Sequence, residues 1–264
     1  MNAQSAGAAT GRVVIIGAGP GSADLITVRG ARRLAEADVV LYDALVDPGL
    51  RELAPQARWI HVGKRVFCDS TAQTQINALL VRYAREHRVV VRLKGGDPSI
   101  FGRLEEELQA LAEASIECEV VPGVTAAIAA AADTRRPLTR RGKGRSVSLT
   151  TAMTESGDLH ASRSADTEVF YMAGKQLAAL SRRLLQAGWS AATAVSVVSR
   201  AGWPDRLHSD HTVVTLAQAS LLHAGRPAVV TVGAGATSVH PIPLEASKPS
   251  RLEVVQTSAH ASKA

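Results

Sequence analysis

The sequence predicts an α/β fold, on three observations. Apolar residues make up 46% of the 264 residues and aromatics only 3%. A sizeable core must then be built from Val, Leu, Ile and Ala, which suits parallel sheets covered by Ala-rich helices. Short apolar runs also alternate with amphipathic stretches along the chain. Several of those runs end in glycine-rich polar turns, the place where open α/β sheets hold ligands. The length suffices for one large or two ordinary α/β domains.

Taken in order, 12–16 reads as a first strand, followed by the turn Gly17-Ala18-Gly19-Pro20-Gly21. The turn invites a dinucleotide reading, but that fingerprint needs G-x-G-x-x-G and the last position here is Ser22. A helix is expected over 28–37 and a strand over 39–42, ending at Asp43, where a carboxylate faces a cleft or serves as a turn or capping residue. A strand over 58–62 leads to Lys64, an ordinary surface charge on its own. The stretch 71–86 carries Ile76, Leu79, Leu80 and Tyr83 at helical spacing and reads as core packing.

The chain is organised around the next segment, Arg92-Leu93-Lys94-Gly95-Gly96-Asp97-Pro98-Ser99-Ile100-Phe101-Gly102-Arg103, which follows the buried run Val89-Val90-Val91. Two glycines stop the strand and let another molecule approach the backbone. Asp97 can accept hydrogen bonds from a polar ligand. On spacing alone this is a ligand loop or a tight strand-to-helix turn. The helix 104–114 repeats Leu104, Leu108 and Leu111 on one face. Glu105, Glu106 and Glu107 sit in its first turn, where negative charge favours the helix dipole. A strand over 118–121 closes at Pro122-Gly123, and 125–132 is a small-residue helix.

Six cations in the eleven residues 135–145 mark a loop and domain boundary, either a solvated linker or a cation cluster for carboxylates. Beyond it, 146–150, 167–171, 194–198, 212–215 and 228–232 are strand candidates. A helix is expected over 174–187, with Leu177, Leu180, Leu184 and Leu185 turned inward.

The order Val14-Ile15-Ile16-Gly17-Ala18-Gly19-Pro20-Gly21, Val62-Gly63-Lys64-Arg65, Gly95-Gly96-Asp97 and Val121-Pro122-Gly123-Val124-Thr125-Ala126-Ala127 resembles the tetrapyrrole methylases over roughly residues 12 to 235. The resemblance implies two α/β domains with the active site in the cleft between them, and a homodimer. Composition and the basic run divide the chain into a disordered 1–11, an N-terminal domain 12–137, a C-terminal domain 138–236 and a mostly disordered tail 237–264. The resemblance itself carries the chemistry. It implies S-adenosylmethionine as methyl donor, no metal, and methylation of uroporphyrinogen III at C2 and C7 to give precorrin-2.

By the same resemblance Pro20, Gly95, Gly96, Asp97, Ile100, Thr125, Ala126, Met172 and Ala201 match cofactor contacts. Asp43 matches a proton acceptor and Lys64 a proton donor. Arg103, Glu106 and Arg141 match substrate-side residues, with Arg103 counted among the catalytic group. The chain departs from the family at Leu104-Glu105, where relatives have glycines, which is expected to narrow one side of the cleft floor. It departs again at Arg140, where they usually have His.

The formal net charge of +6 fits an anionic partner. A non-enzymatic nucleic-acid binder using 135–145 is the rival from another class. Scarce aromatics and the lack of a recognised nucleic-acid motif count against it. Within the fold, the rival substrate is a later corrin intermediate. Cys68 and Cys118 are the only cysteines, and neither has a second thiol at zinc-ligand spacing. Met1 to Thr10 shows no signal-peptide pattern, and no apolar run is long enough to span a bilayer, so a cytoplasmic protein off the membrane is expected. A weak strand at 252–255 is the one element expected in the tail.

Overall fold

In the computed structural model the described residues are 11–63, 71–152 and 159–239. They form two five-stranded sheets. The first contains β1 (Arg12–Gly17), β2 (Val39–Tyr42), β3 (Arg58–His61), β4 (Val89–Lys94) and β5 (Cys118–Val121), in the order β3-β2-β4-β1-β5. All of its pairings are parallel. Its inner strands β1, β2 and β4 are short Val-, Ile- and Leu-rich runs because both faces are covered. Helix α1 (Val28–Ala35) shares a core with Val14, Ile16, Val40 and Val91 on one face. Helices α2 (Thr71–Glu86) and α3 (Leu104–Glu113) cover Val13, Ile15, Leu41 and Val90 on the other.

Helix α4 (Ala126–Thr134) leads out of the first sheet, and its Ala127, Ala129 and Ala130 pack on Val169, Val198 and Val229 of the second. That sheet contains β6 (Val147–Thr151), β7 (Thr167–Tyr171), β8 (Ala194–Ser199), β9 (Leu207–Thr212) and β10 (Ala228–Gly233), in the order β6-β7-β10-β8-β9. β6 and β7 run parallel, and the other pairings are antiparallel. Helix α5 (Leu177–Gln186) covers the face opposite α4, and the short α6 (Ser220–His223) follows a 3-10 turn, Leu216–Ala219.

Three local expectations need correction. The helix expected over 174–187 begins at Leu177, and its Leu185 is 40% exposed while Leu177, Leu180 and Leu184 are buried. The strand expected over 212–215 is a turn, closed by the Thr215 hydroxyl accepting from the Thr212 N–H at 2.9 Å. The strand itself is β9, upstream, whose Leu-His-Ser-Asp-His-Thr sequence carries no apolar signal because it is a sheet edge with one paired side. The helix expected over 28–37 stops at Ala35. Lys64, Cys68, residues 1–10 and the tail from 240, with its weak strand at 252–255, lie outside the described residues.

Candidate active site between the two sheets

The strands of the first sheet all point the same way, so their carboxyl ends deliver five loops to one edge. Gly19 and Gly96 exchange backbone hydrogen bonds at 3.2 and 2.7 Å, joining the β1 and β4 loops. A Cβ on Gly17 would stand 2.6 Å from the Cα of Gly123 in the β5 loop, so only glycine allows this approach. Gly63, after β3, lies against the backbone of Ala44 in the β2 loop.

Asp97 ties two of these loops. Its Oδ1 accepts from the Ser99 N–H at 2.8 Å and its Oδ2 from the Gly123 N–H at 2.9 Å. Asp43 does the same between β2 and β4, accepting from Leu45 N–H at 3.0 Å and Gly95 N–H at 3.2 Å. Each carboxylate oxygen has a further lone pair to offer. Ile100 caps the turn, donating its N–H to the Asp97 carbonyl at 3.2 Å.

The second half closes the cleft. Tyr171, at the end of β7, sets its hydroxyl 2.7 Å from the Thr125 hydroxyl and 3.1 Å from the Ala127 N–H. Its ring stands 5.1 Å from that of Phe101. Met172 follows in a left-handed conformation and is 54% exposed. After β8, the buried Ala201 precedes Gly202, whose carbonyl accepts from Ser22 N–H at 2.9 Å and which lies against Pro20. Thr125 caps α4, whose first residue is Ala126. The structure therefore gathers Pro20, Asp43, Gly95, Gly96, Asp97, Ile100, Thr125, Ala126, Met172 and Ala201 around one cleft.

Arg103 and Glu106 stand on the exposed side of the same loop and the first turn of α3, joined by two 2.7 Å hydrogen bonds. They are 52% and 46% exposed, so the pair contributes about 0–1 kcal/mol and its partners can be exchanged cheaply. Leu104 does not narrow the cleft floor, contrary to expectation. It packs into the core under α2 and α3 with Leu108 and Leu111, and Glu105 is exposed.

The basic run does not converge on the cleft as one cluster. Arg136 is 3% exposed and pairs with Asp210 on β9, whose carboxyl is held well below its ordinary range by hydrogen bonds from Arg136 and His208. Arg140 donates to the Thr237 carbonyl at 3.1 Å. With Lys143 and Arg163 it lines an open hollow of about 510 Å3 beside Ala194 and Gly233. Those residues begin β8 and end β10, so the hollow is at the end of the second sheet away from Tyr171 and Ala201. Arg141 is exposed in the turn between Arg140 and Gly144. Another hollow, of about 580 Å3, opens at the amino ends of β1 and β4 around Arg12 and His87, also away from the cleft.

Sequence reasoning missed three residues beneath the central loop. Glu107 is 0% exposed, and its carboxylate bridges the Arg92 guanidinium at 2.9 Å and the Lys94 ammonium at 2.7 Å. Burial, then the neighbouring Arg92, pushes the Lys94 pKa down. The available signal was two cations two residues apart on a fully buried strand, which demand a counter-charge. Burial raises the Cys118 thiol to about 11, an unreactive state. Among the described residues no group of three or more His, Cys, Asp or Glu could hold a metal ion, and no helix is long and apolar enough to cross a membrane.

The family profile of the tetrapyrrole (corrin/porphyrin) methylases matches residues 12–220. A uroporphyrinogen-III C-methyltransferase of Pseudomonas aeruginosa is 44% identical over 196 residues, 73% of this chain and 80% of that protein. A siroheme synthase of Neisseria meningitidis is 43% identical over 229 residues, 84% of this chain but 48% of that protein, so the chain spans about half the length of such relatives. The structure of uroporphyrin-III C-methyl transferase from Thermus thermophilus complexed with S-adenyl homocysteine superposes with a TM-score of 0.74 at 36% identity, covering 84% of this chain and 97% of that one. With the family profile covering the first sheet and four of the second sheet's five strands, the glycine-rich loops meeting at one cleft, and relatives above 40% identity, this chain belongs to the tetrapyrrole methylases.

Proposed function

We propose that the chain transfers methyl groups from S-adenosylmethionine to C2 and C7 of uroporphyrinogen III, giving precorrin-2. The observation that carries the reading is the meeting, at one cleft, of the loops that bear the family resemblance. The relatives of known activity support it. The cleft also suits the donor. Leu45 and Phe101 are exposed apolar side chains in the loops of Asp43 and Asp97, Phe101 lies against Tyr171 and the exposed Met172 follows it, a mixed set for a molecule with an apolar and a cationic part.

S-adenosylmethionine supplies a methyl group on a positive sulfur, and an electron-rich pyrrole carbon receives it. The protein's task is then mainly positioning, which is worth up to about 7–11 kcal/mol of barrier. Pro20, Gly95, Gly96, Asp97, Ile100, Thr125, Ala126, Met172 and Ala201 hold the donor in this reading. Arg103 and Glu106 meet the tetrapyrrole at the rim; Arg141 is left out of the substrate set, because its turn lies beside Arg140 and Lys143 at the far end of the second sheet. Arginine is a poor base at its ordinary pKa, so Arg103 binds and steers charge. Asp43 takes the one proton that the macrocycle loses at each methyl transfer, and Lys64 serves as proton donor only where a proton moves between ring atoms, leaving the net loss at one per methyl. The domain division at 137/138, a homodimeric state, a cytoplasmic location and the lack of a nucleic-acid or membrane partner belong to the same proposal.

An anaerobic assay with S-adenosylmethionine and uroporphyrinogen III, read by mass spectrometry, tests it. Addition of two methyl groups is expected. Tight donor binding without methylation of this substrate would move the assignment to a later corrin intermediate.

A further inference from the structure

A buried strand bearing two cations on one face is costly. Arg92 and Lys94 face the α3 side of β4, in line with Val90, and are both nearly inaccessible. Glu107 answers them from the first turn of α3, giving a buried trio of net charge +1. Such groups contribute little net stability, because the lost hydration of each ion offsets the attraction between them. Fixing one geometry is the better-attested use of buried ionic groups.

The geometry here is that of a loop's two ends. Lys94 is the last residue before the loop 95–103, and Glu107 lies one turn past its end. Arg92 extends the grip to the β2 end, donating to the Leu93 carbonyl at 3.0 Å and reaching Leu41 at 3.5 Å. The Lys94 stem also runs under the far end of the loop. An added Cβ at Gly102 would stand 3.1 Å from Lys94 Cε and 2.4 Å from the Pro98 carbonyl oxygen. The loop thus folds back over its own first anchor, and its exit helix holds that anchor's head group.

We propose that Glu107 is a positioning residue, and that the Arg92–Glu107–Lys94 trio is an ionic clamp setting the path of the 95–103 loop and so the affinity of the cleft for the methyl donor. The donor half of this statement rests on the proposed function. The clamp half does not.

The test uses the full chain, the variant Glu107→Gln, and the apolar replacement Arg92→Met/Lys94→Met/Glu107→Leu. Replacing a buried ionic trio by apolar side chains of similar volume tends to be neutral or stabilising, so the triple variant separates position from stability. Amide hydrogen exchange without ligand should quicken by about tenfold within 95–103 in both variants while β1 and β4 keep their protection. Binding of S-adenosylhomocysteine should weaken by a similar factor, with the thermal midpoint of the triple variant held.

Unchanged exchange in 95–103 would overturn the clamp. So would exchange that quickens equally across the first sheet, since that marks a general loss of stability. Quickened loop exchange in a chain whose unaltered form binds no S-adenosylhomocysteine would support the clamp and count against the proposed function instead.

Discussion

The Asp97→Ala variant tests how far the cleft depends on its loops being tied together. Two acceptor bonds are lost, to Ser99 N–H at 2.8 Å and Gly123 N–H at 2.9 Å. Ser99 is exposed, so water replaces the first bond at little cost. The second is part-buried between two loops, and its loss decides the outcome. A hydrogen bond to a charged group contributes about 1.5–3 kcal/mol, a factor of about 10–150 in the equilibrium between tied and untied loops. Apparent affinity falls by the fraction of molecules left competent to bind. The dissociation constant of S-adenosylhomocysteine, measured by calorimetry, should therefore rise by about tenfold and by no more than about 150-fold. Asp97→Asn keeps one acceptor oxygen and should fall between the two. Unchanged affinity in Asp97→Ala, with the loop amides exchanging faster, would refute the link between loop order and binding.

Arg103→Ala should raise the KM for the tetrapyrrole and leave S-adenosylhomocysteine affinity intact, as measured by steady-state assay and calorimetry; equal damage to both would undo the proposed division of the cleft. Asp43→Asn keeps one acceptor oxygen, sets an NH2 against the other amide and removes the base, so kcat should drop by about 10²–10⁴-fold while donor affinity falls much less. Stability should also depend on pH through His223. It is buried between the Ser199 and Ser209 hydroxyls at 2.9 Å each, and burial lowers its pKa from 6.5 to about 4. The unfolded chain then takes up the proton first, so stability falls as pH drops from 6.5 towards 4 and levels off below. His211 moves in the same direction, whereas the depressed Asp210 adds its loss only below its ordinary 3.8. Denaturation across this range should show a shallower slope for His223→Gln, and an unchanged slope would remove His223 as its source.

What the sequence disclosed followed from which interactions are local. β1, β2, β4, β8 and β10 were legible because a strand buried on both faces must be a short apolar run. β9 was not, since an edge strand can be made of His, Ser, Asp and Thr. The loops around Gly17, Gly96 and Gly123 were legible as glycine-rich strand ends, though their contact with one another is a product of strand order β4-β1-β5. Glu107 was hidden among three consecutive glutamates that suit a helix N-terminus equally well. Its partners are 13 and 15 residues away in sequence. The basic run misled for the same reason: the counter-charge of Arg136 is Asp210, 74 residues on.

Backbone strain gives an independent indication of where function lies. Among the described residues, six other than glycine have positive φ. Ser115 and Arg135 are helix ends, where a left-handed residue is a common stop. Phe101, Arg103 and Met172 border the cleft, Arg200 follows the end of β8 beside Ala201, and none of the four is of a type that adopts this conformation cheaply. Strain of about 1–3 kcal/mol per residue persists only where neighbours over-determine the backbone. Those neighbours are identifiable. Asp97 holds the β4 loop to Gly123, the Phe101 ring meets Tyr171, and the Tyr171 hydroxyl holds Thr125 on the opposite half. The floor of the cleft is thus cross-tied between the two sheets, while Arg103, Glu106 and Met172 remain exposed at its rim. A rigid floor with an exposed rim suits a reaction in which alignment of donor and acceptor is the main demand.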